Sequence, residues 1–382
     1  MSNPLIEVQK YGQSIWYDNI RRGILTSGEL KRLVDNDGLL GVTSNPAIFE
    51  KAVGGSDDYD GDVRTLVGNG VKEPMDLYEA LAIEDIQLAA DILHQVFVDT
   101  KGRDGYVSFE VSPYLAADTD GTVEYARRVH KQIGRENILI KVPGTPEGMP
   151  AIRTLISEGI SVNVTLLFSV EAYEDCAEAY LAGLEDAAAA GRDLSKIASV
   201  ASFFISRIDS AADQQIADAL GAQDDAVKRR ATESLQGRVA VANGMVAYAS
   251  YLEMVASKRW EALEAAGATT QRVLWASTST KNPDYPKLKY VEELIGVDTV
   301  NTIPAATFEA YREEGKPTAA LQTDWEAKLA EAREIMAALA ELGISMDAIT
   351  DGLLSDGVKQ FSDAFGVLLD SVASKRDAIV AG

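Results

Sequence analysis

The chain has 382 residues, of which 46% are hydrophobic and 25% charged, a composition typical of a soluble globular protein with a buried core. Its 36 Lys and Arg residues against 59 Asp and Glu give a formal net charge of −23, which disfavours nucleic acid and anionic membranes as partners. A phosphorylated substrate would therefore have to be bound by a few locally placed cations.

The single cysteine, Cys176, excludes a disulfide within one chain and favours a reducing cytoplasm. The first residues contain no apolar signal-peptide core, and no apolar run approaches the roughly 18 residues of a membrane span. We therefore expect a cytoplasmic protein that does not contact the membrane. The sequence leaves the oligomeric state open between a monomer and a homodimer.

Eight short apolar segments with strand character alternate with longer helical patterns. In chain order the predicted strands are Ser14–Asp18, Gly38–Asn45, Gly105–Val111, Asn137–Pro143, Ser161–Ser169, Ile197–Ile205, Arg272–Thr278 and Asp298–Pro304. Several of them are apolar throughout, which is typical of parallel strands covered on both faces.

The segments between these strands have helical periodicity. Helices are predicted at 77–96, at 119–134 with Gly134 as its C-cap, at 169–190, at more than one place within 210–267, and at 325–342 and 355–378 outside the barrel. The stretch Val53–Val71 is rich in Gly and Asp, and we interpret it as a mobile loop near the mouth of the barrel or as a solvated connection.

Eight strand–helix alternations without an internal linker predict a single (β/α)8 barrel with additional helices. The main alternative is an open doubly wound sheet that binds a dinucleotide. No G-x-G-x-x-G follows any strand and no G-x-x-x-x-G-K-[ST] is present, so this alternative is disfavoured. We expect residues 1–382 to form one barrel domain, with 305–382 as a C-terminal helical extension packed on the barrel.

Barrel enzymes build their active sites at the carboxyl ends of the strands, so polar residues that interrupt apolar strands there are candidates. Seven strands supply them: Asp18, Asn45, Glu110, Lys141, Asn163, Thr165, Ser202 and Ser277. A closed barrel would bring these side chains around one cavity.

Lys141 is the most informative of these residues. It lies in the apolar segment ILIKVPGT, so we expect it to be buried, and a buried ammonium loses hydration, which favours its neutral form. A neutral amine attacks a ketone to give a carbinolamine and then an iminium ion, an electron sink for cleavage of the adjacent carbon–carbon bond. The alternative is a purely structural ion pair with Glu110.

Asp18 and Glu110 are carboxylates at the ends of two different strands. Carbon–carbon cleavage needs a base for a hydroxyl proton, and imine formation needs protons moved to and from oxygen, so two carboxylates in different settings would divide these tasks. A cap or salt bridge is the alternative for Asp18. Asn45 and Asn163 suit sugar hydroxyls, although Asn45 precedes a proline and a turn role is equally natural.

Arg207 and Lys281 are cations beside hydroxyl residues near strand ends, which suggests a phosphate clamp. Solvated surface charge is the alternative for each. The two histidines, His94 and His130, lie in separate helical patterns and form no H-x-x-x-H unit, so we expect no metal and no other cofactor.

Several motifs together resemble the transaldolase family in its longer bacterial branch. They are GVTSNPAIFEKA (41–52), SFEVSPYLA (108–116), ILIKVPGTPEG (138–148), VNVTLLFS (162–169), SFFISRIDS (202–210) and WASTSTKNP (275–283). The resemblance runs from the first strand to about Pro304 and continues loosely into the terminal helices. TSNPAIF together with the lysine strand is the most specific part of the signal.

The resemblance implies a transferase that moves a dihydroxyacetone unit between sugar phosphates in the pentose phosphate pathway. It implies Lys141 as the Schiff-base lysine, Asp18 as the base beside the scissile bond, and a relay water held by Glu110 and Thr165. Its substrate-binding residues would be Asn45, Asn163, Ser202, Phe204 and Arg207. The donors would be sedoheptulose 7-phosphate or fructose 6-phosphate, and the acceptors glyceraldehyde 3-phosphate or erythrose 4-phosphate.

Two points of this resemblance concern specificity. Phe204 stands where the related fructose 6-phosphate aldolases carry tyrosine, which favours transfer over release of free dihydroxyacetone. The seventh strand reads ASTSTKN where shorter transaldolases have A-S-F-R, so Ser277 and Lys281 are expected in place of a phosphate-binding arginine. The alternatives are an aldolase that releases dihydroxyacetone and a non-catalytic barrel that binds sugar phosphates.

Overall fold

The computed structural model describes residues 3–221 and 225–381. Its strands are β1 (Gln13–Asp18), β2 (Gly41–Thr43), β3 (Tyr106–Glu110), β4 (Ile138–Pro143), β5 (Val162–Leu167), β6 (Ser199–Phe204), β7 (Arg272–Ala276) and β8 (Thr299–Ile303). Each strand pairs in parallel with the next, and β8 pairs with β1, which closes the barrel. The predicted (β/α)8 barrel is confirmed.

The helices of the first half are α1 (Pro4–Glu7), α2 (Arg22–Thr26), α3 (Glu29–Asp37), α4 (Pro46–Gly54), α5 (Asp60–Gly68), α6 (Pro74–Asp99), α7 (Thr119–Ile133) and α8 (Gly148–Ser157). Those of the second half are α9 (Val170–Ala189), α10 (Ser206–Gly221), α11 (Ala226–Glu233), α12 (Val239–Val255), α13 (Lys258–Ala265), α14 (Lys289–Glu292), α15 (Ala305–Glu314), α16 (Trp325–Glu341) and α17 (Met346–Ala381). Short 3-10 helices cover 8–11, 113–115 and 194–196.

Most predicted elements are present, with shifted ends. The largest difference among the strands is β2, which covers three residues rather than eight. Gly38 instead ends α3 in the left-handed region at φ +66°, and the Asn45 side chain caps α4 by accepting a hydrogen bond from the Ile48 N–H at 3.0 Å. Caps at both ends therefore shorten the strand.

The prediction of a loop at Val53–Val71 is wrong, because α4 and α5 occupy most of it. Val53 and Val63 are buried against the core at 1% and 0% exposure. Asp60 and Asp62 lie in the first turn of α5, where carboxylates favour the helix dipole. Burial of the valines and favourable helix-end charge thus outweigh the loop preference of the glycines.

Side chains that alternate into the barrel form layers, as in other barrels of this type. The lower layer, which we call the floor, consists of Ser14, Trp16, Asp104 and Arg272. Asp104 accepts hydrogen bonds from the Ser14 hydroxyl (2.7 Å), the Trp16 indole (2.9 Å) and the Arg272 guanidinium (3.0 Å). Gly41 is required beside Trp16, because a Cβ there would lie 2.6 Å from the indole ring. The floor fills the end of the barrel opposite the strands' carboxyl ends.

The last helix, α17, begins nine residues earlier than predicted and packs on elements that follow the carboxyl ends of the strands. It contacts α4, α5, α6 and α10, and it also touches β5. Phe365 packs edge-on against Tyr78 and Tyr114, with ring centroids 5.3 and 5.4 Å apart. The Lys375 ammonium donates to Ser56 O at 2.8 Å. This helix therefore lies at the mouth of the barrel, the end at which the strands finish.

Within the described residues no single helix has the length and apolarity to span a bilayer, and α12 with α13, bent by 64° at their junction, pass that test only as a pair.

Candidate active site

A cavity of about 550 Å³ opens at the mouth of the barrel. Nine of the eleven predicted site residues line it: Asp18, Asn45, Lys141, Thr165, Ser202, Phe204, Arg207, Ser277 and Lys281. The other two, Glu110 and Asn163, lie directly behind its wall, where they contact Lys141 and Ser202. The structure therefore brings together the polar strand-end residues around one space.

Lys141 projects from β4 into this cavity with 5% exposure. Its Nζ donates to Glu110 Oε2 at 3.0 Å and to the carbonyl oxygen of Ser44 at 3.1 Å. The ring of Phe361, from α17, lies with its centroid 5.7 Å from the same nitrogen. The ion pair that we considered as a structural alternative is present, but the amine also faces the cavity, so the pair does not exclude a nucleophilic role.

Two buried oxygen atoms near this amine lack a hydrogen-bond partner among the described residues. They are Glu110 Oε1 and Thr165 Oγ1. Buried polar atoms are nearly always satisfied, by protein or by ordered water, so each of these two atoms retains hydrogen-bonding capacity for a water molecule or a substrate. Burial raises the pKa of Glu110, and the nearby Lys141 partly opposes that effect. Glu110 is therefore suited to accept a proton.

The backbone of β5 is irregular where Thr165 lies. The pairing with β6 shifts register between Val164 and Leu167, and Leu166 has φ +62°, in the left-handed region. Such bulges re-aim side chains beside functional sites, and residues in this region carry strain that the surrounding packing must sustain. The irregularity therefore lies directly beside Thr165, which lines the cavity.

Asp18 ends β1 on the cavity wall. Its Oδ1 accepts a hydrogen bond from the Thr43 hydroxyl at 2.7 Å, and that hydroxyl lies 2.6 Å from the Thr302 hydroxyl. Burial raises the pKa of Asp18, and Lys141 is the largest opposing influence. The pKa of each carboxylate is raised by burial, but their hydrogen-bond donors differ, because Asp18 accepts from Thr43 and Glu110 accepts from Lys141.

The two asparagines differ in position. The side-chain oxygen of Asn45 caps α4, which is the turn role that its sequence allowed, and the residue also lines the cavity. Asn163 is fully buried, donates to the Ser108 hydroxyl at 3.0 Å and accepts from the Ser202 hydroxyl at 2.7 Å. Asn163 therefore orients Ser202, which lines the cavity itself.

Cations collect on one side of the mouth. Arg207 lies at the start of α10 with its guanidinium 5.7 Å from the centroid of the Phe204 ring. Lys281 donates to the Ser279 hydroxyl at 2.8 Å. Loss of hydration lowers the pKa of Lys281, and the charge of Arg207 lowers it further, so the two cations share one region. Two like charges held near each other at a cavity rim are suited to bind a phosphate.

Ser277 lies between these cations and the end of β7. Its φ is +55°, an uncommon conformation for a residue with a side chain, and its hydroxyl lies 3.1 Å from that of Ser206. The pairing links the β7 end to the first residue of α10, one position before Arg207. Ser277 therefore contributes a hydroxyl where the phosphate clamp is expected.

Sequence reasoning missed thirteen further residues of the cavity wall, and five of them bear on its chemistry. These five are Arg21, Thr43, Lys51, Thr302 and Phe361. Thr43 and Thr302 lie at strand ends, and a search that admitted every hydroxyl at such ends would have found them. Arg21, Lys51 and Phe361 lie in or beside helices, where no local pattern marks a residue as facing the cavity. Among residues 3–221 and 225–381, no group of three or more His, Cys, Asp or Glu side chains is arranged to hold a metal ion.

Comparison with known proteins agrees with this geometry. The family described as Transaldolase/Fructose-6-phosphate aldolase matches residues 15–372. The chain belongs to this family. Its members similar to the chain include a transaldolase of Trichodesmium erythraeum, which is 47% identical over 98% of each chain. Transaldolase 2 of Nostoc punctiforme is likewise 47% identical over 98% of each chain.

A third relative of the transaldolase/fructose-6-phosphate aldolase family is the transaldolase of Thermobifida fusca. It is 44% identical over 99% of this chain and 100% of its own length. The resemblance inferred from the sequence motifs is thus confirmed. The match also covers α16 and most of α17, where the motifs gave only a loose signal.

Proposed function

We propose that this chain is a transaldolase that carries a dihydroxyacetone unit on Lys141 from a ketose phosphate to an aldose phosphate. The observation that supports this most directly is the buried amine of Lys141, which faces a cavity lined by Asp18 and a cationic rim and is bonded by Glu110 from behind the wall. Relatives named transaldolase, which align with this chain over nearly their whole length, support the same reaction.

The first step is attack of Lys141 Nζ on the ketone carbon C2 of the donor. One ammonium proton passes to Glu110, which leaves the amine lone pair free. The water proposed between Glu110 Oε1 and Thr165 Oγ1 then carries a proton to the former carbonyl oxygen. That oxygen departs as water, and the C2–N bond becomes an iminium.

Cleavage follows at the bond between C3 and C4. Asp18 accepts the proton of the C4 hydroxyl, the C3–C4 electron pair moves into the iminium, and C4 becomes the aldehyde of the departing aldose phosphate. An enamine remains on Lys141. The raised pKa of Asp18 suits a group that must hold this proton until an acceptor arrives.

Transfer reverses these steps with a second aldose phosphate. The enamine carbon attacks the acceptor aldehyde, whose oxygen takes the proton from Asp18, and water then releases the new ketose phosphate from the lysine. Asn45 and Ser202 would hold hydroxyls of the dihydroxyacetone unit, with Asn163 orienting Ser202. Arg207, Lys281 and Ser277 would bind the phosphate of donor and acceptor in turn.

Borohydride reduction in the presence of fructose 6-phosphate tests this proposal. We expect a covalent adduct with the mass of a reduced dihydroxyacetone unit, located by peptide mapping at Lys141. Lys141→Ala should abolish both the adduct and turnover while the far-ultraviolet circular dichroism remains unchanged. The matched control is Lys359→Ala, an exposed lysine of α17, which should retain both. An adduct at another lysine, or the absence of an adduct, would contradict this mechanism and favour a non-catalytic barrel that binds sugar phosphates.

Release of free dihydroxyacetone, the alternative reaction, is separated from transfer by one measurement. With fructose 6-phosphate alone and then with erythrose 4-phosphate added, a transaldolase produces sedoheptulose 7-phosphate faster than free dihydroxyacetone. Phe204 supports transfer, because its ring offers no hydroxyl to the water or the proton that release requires. No comparison favours the aldolase alternative.

We further propose that the enzyme works in the cytoplasm, in the pentose phosphate pathway, on sugar phosphates and without nucleic acid or membrane partners. The strong negative charge and the lone buried Cys176 support this setting. We treat residues 1–382 as one barrel domain with 305–382 as its helical extension. Sedimentation measurements would decide between a monomer and a homodimer.

A further inference from the structure

The last helix contributes a side chain to the cavity. Phe361, from the middle of α17, is 8% exposed and lines the space above Lys141, with its ring centroid 5.7 Å from the nitrogen. Lys141 is also bonded from the side by Glu110 and by the carbonyl of Ser44. The ring of Phe361 thus covers a side of Lys141 Nζ that Glu110 and Ser44 do not contact.

Phe361 is held in this position by contacts along its own helix. One turn further along α17, Phe365 is packed between Tyr78 and Tyr114. Further on, Lys375 forms an ion pair with Asp60 of α5 at 2.6 Å. Since α17 is anchored to two helices of the mouth, the ring is fixed over the lysine rather than hanging from a free segment.

The proposed intermediate has two possible fates. In transfer, the enamine carbon C3 forms a bond to the acceptor aldehyde carbon, and the aldehyde oxygen takes the proton held by Asp18. In discharge, C3 instead takes a proton from solvent, and Asp18 returns the proton that it holds to solvent. Water then adds at C2, the C2–N bond breaks, and Lys141 is regenerated with free dihydroxyacetone.

Only one of these steps distinguishes the two fates. Both end with addition of one water molecule at C2, which the position between Glu110 and Thr165 supplies. Discharge additionally needs a solvent proton donor at C3, which in the enamine would lie two bonds from Nζ and therefore close to the ring that covers this nitrogen. An apolar side chain at that place excludes water from C3 without blocking the polar wall.

We propose that Phe361 makes this enzyme a transferase rather than a hydrolytic aldolase by shielding the enamine carbon on Lys141 from solvent. The proposal rests on the function proposed above and deepens it. It assigns the choice between transfer and release to a residue of the C-terminal helix α17. Phe204, on β6, is a separate aromatic residue of the wall.

The test is a graded series at one position, Phe361→Leu, Phe361→Val and Phe361→Ala. For each variant, free dihydroxyacetone and sedoheptulose 7-phosphate are measured by chromatography with fructose 6-phosphate and a fixed concentration of erythrose 4-phosphate. We expect the ratio of release to transfer to rise as the side chain shrinks, by about tenfold or more for alanine. Leucine restores much of the apolar volume and should stay within about threefold of the original ratio.

The matched control is Val367→Ala, which removes apolar volume from the exposed face of the same helix, where the side chain is 52% exposed. It should leave the ratio unchanged. A purely structural role for Phe361 would lower release and transfer together and leave the ratio flat across the series, which overturns the proposal. If alanine prevents folding, the leucine and valine variants still give the slope of the series.

Failure of the underlying function has a different signature. Borohydride trapping of the unmodified enzyme establishes whether an adduct forms at Lys141. With no adduct, the transaldolase function itself fails. With an adduct and a flat ratio, only the shielding role of Phe361 fails.

Discussion

Replacement of Glu110 by glutamine separates the chemical role of this carboxylate from its structural role. Glutamine has nearly the same shape, so it can still accept a hydrogen bond from Lys141 and still reach the position of the proposed water. It cannot take a proton. The change therefore removes proton relay while it leaves the packing of the cavity wall in place.

The expected loss of activity follows from what Glu110 supplies. General acid–base catalysis by a positioned side chain contributes about 10²–10⁴-fold. The protein retains Thr165 and the water, so we expect kcat to fall by about 10²–10³-fold, which corresponds to about 3–4 kcal/mol in the barrier. The hydrogen bond from Lys141 remains, but its acceptor no longer carries a charge, and this loss should lower the free energy of unfolding by about 1.5–3 kcal/mol.

Two measurements separate these effects. Urea unfolding gives the stability change, and the time course of borohydride trapping gives the rate at which the iminium forms, independently of the later steps. Glu79→Gln is the matched control, because Glu79 is another buried carboxylate with a cationic partner, Arg128 at 2.6 Å, and does not line the cavity. It should lower stability without slowing trapping. Trapping by Glu110→Gln within threefold of the original rate would refute the relay role.

Three further changes have defined outcomes. Because the pKa of Asp18 is raised and the ionised form must accept the proton, kcat/KM should fall as the pH drops through a value above that of an ordinary aspartate; an acid limb at the ordinary value would contradict this. Asp18→Asn should lower kcat by about 10²-fold or more at pH values above this limb, and the deficit should shrink below it. The negative charge of Asp356 on α17 acts on Arg207 and opposes the binding of a phosphate there. Asp356→Asn should therefore lower KM for the phosphorylated donor about two- to fivefold at low salt. Asp363→Asn, on the same helix, should leave this KM unchanged. Asp104→Ala leaves the buried guanidinium of Arg272 without its carboxylate and should lower the free energy of unfolding, measured in urea, by about 3–5 kcal/mol. The protein that remains folded should keep its kcat. A loss below about 1 kcal/mol would show that the ion pair of the floor contributes little to stability.

The architecture and much of the site followed from the sequence because both depend on local pattern. Apolar runs of strand length repeat eight times, and a polar residue such as Lys141 or Glu110 inside such a run stands out from its neighbours. In a closed barrel, strand ends converge whatever the helices do. Residues at those ends can therefore be placed around one cavity from the sequence alone.

The rest depends on contacts between distant parts of the chain. Nothing near Phe361 in the sequence indicates that it approaches Lys141, since the helix around it has an ordinary amphipathic pattern. The loop prediction at Val53–Val71 failed for a similar reason, because burial of Val53 and Val63 against other elements outweighs local composition. The conformations of Leu166 and Ser277 are likewise imposed by the barrel rim rather than by residue type.

The floor of Ser14, Trp16, Asp104 and Arg272 has a consequence for the order of events. Because it fills the far end of the barrel, the substrate cavity is a blind pocket with a single opening, and every molecule that enters must leave by the same route. The aldose phosphate released from the donor therefore has to vacate the pocket before its replacement arrives. Donor and acceptor should therefore compete for the same cavity when either is in excess. Double-reciprocal plots of rate against substrate concentration should run parallel at low concentrations and bend upward at high ones.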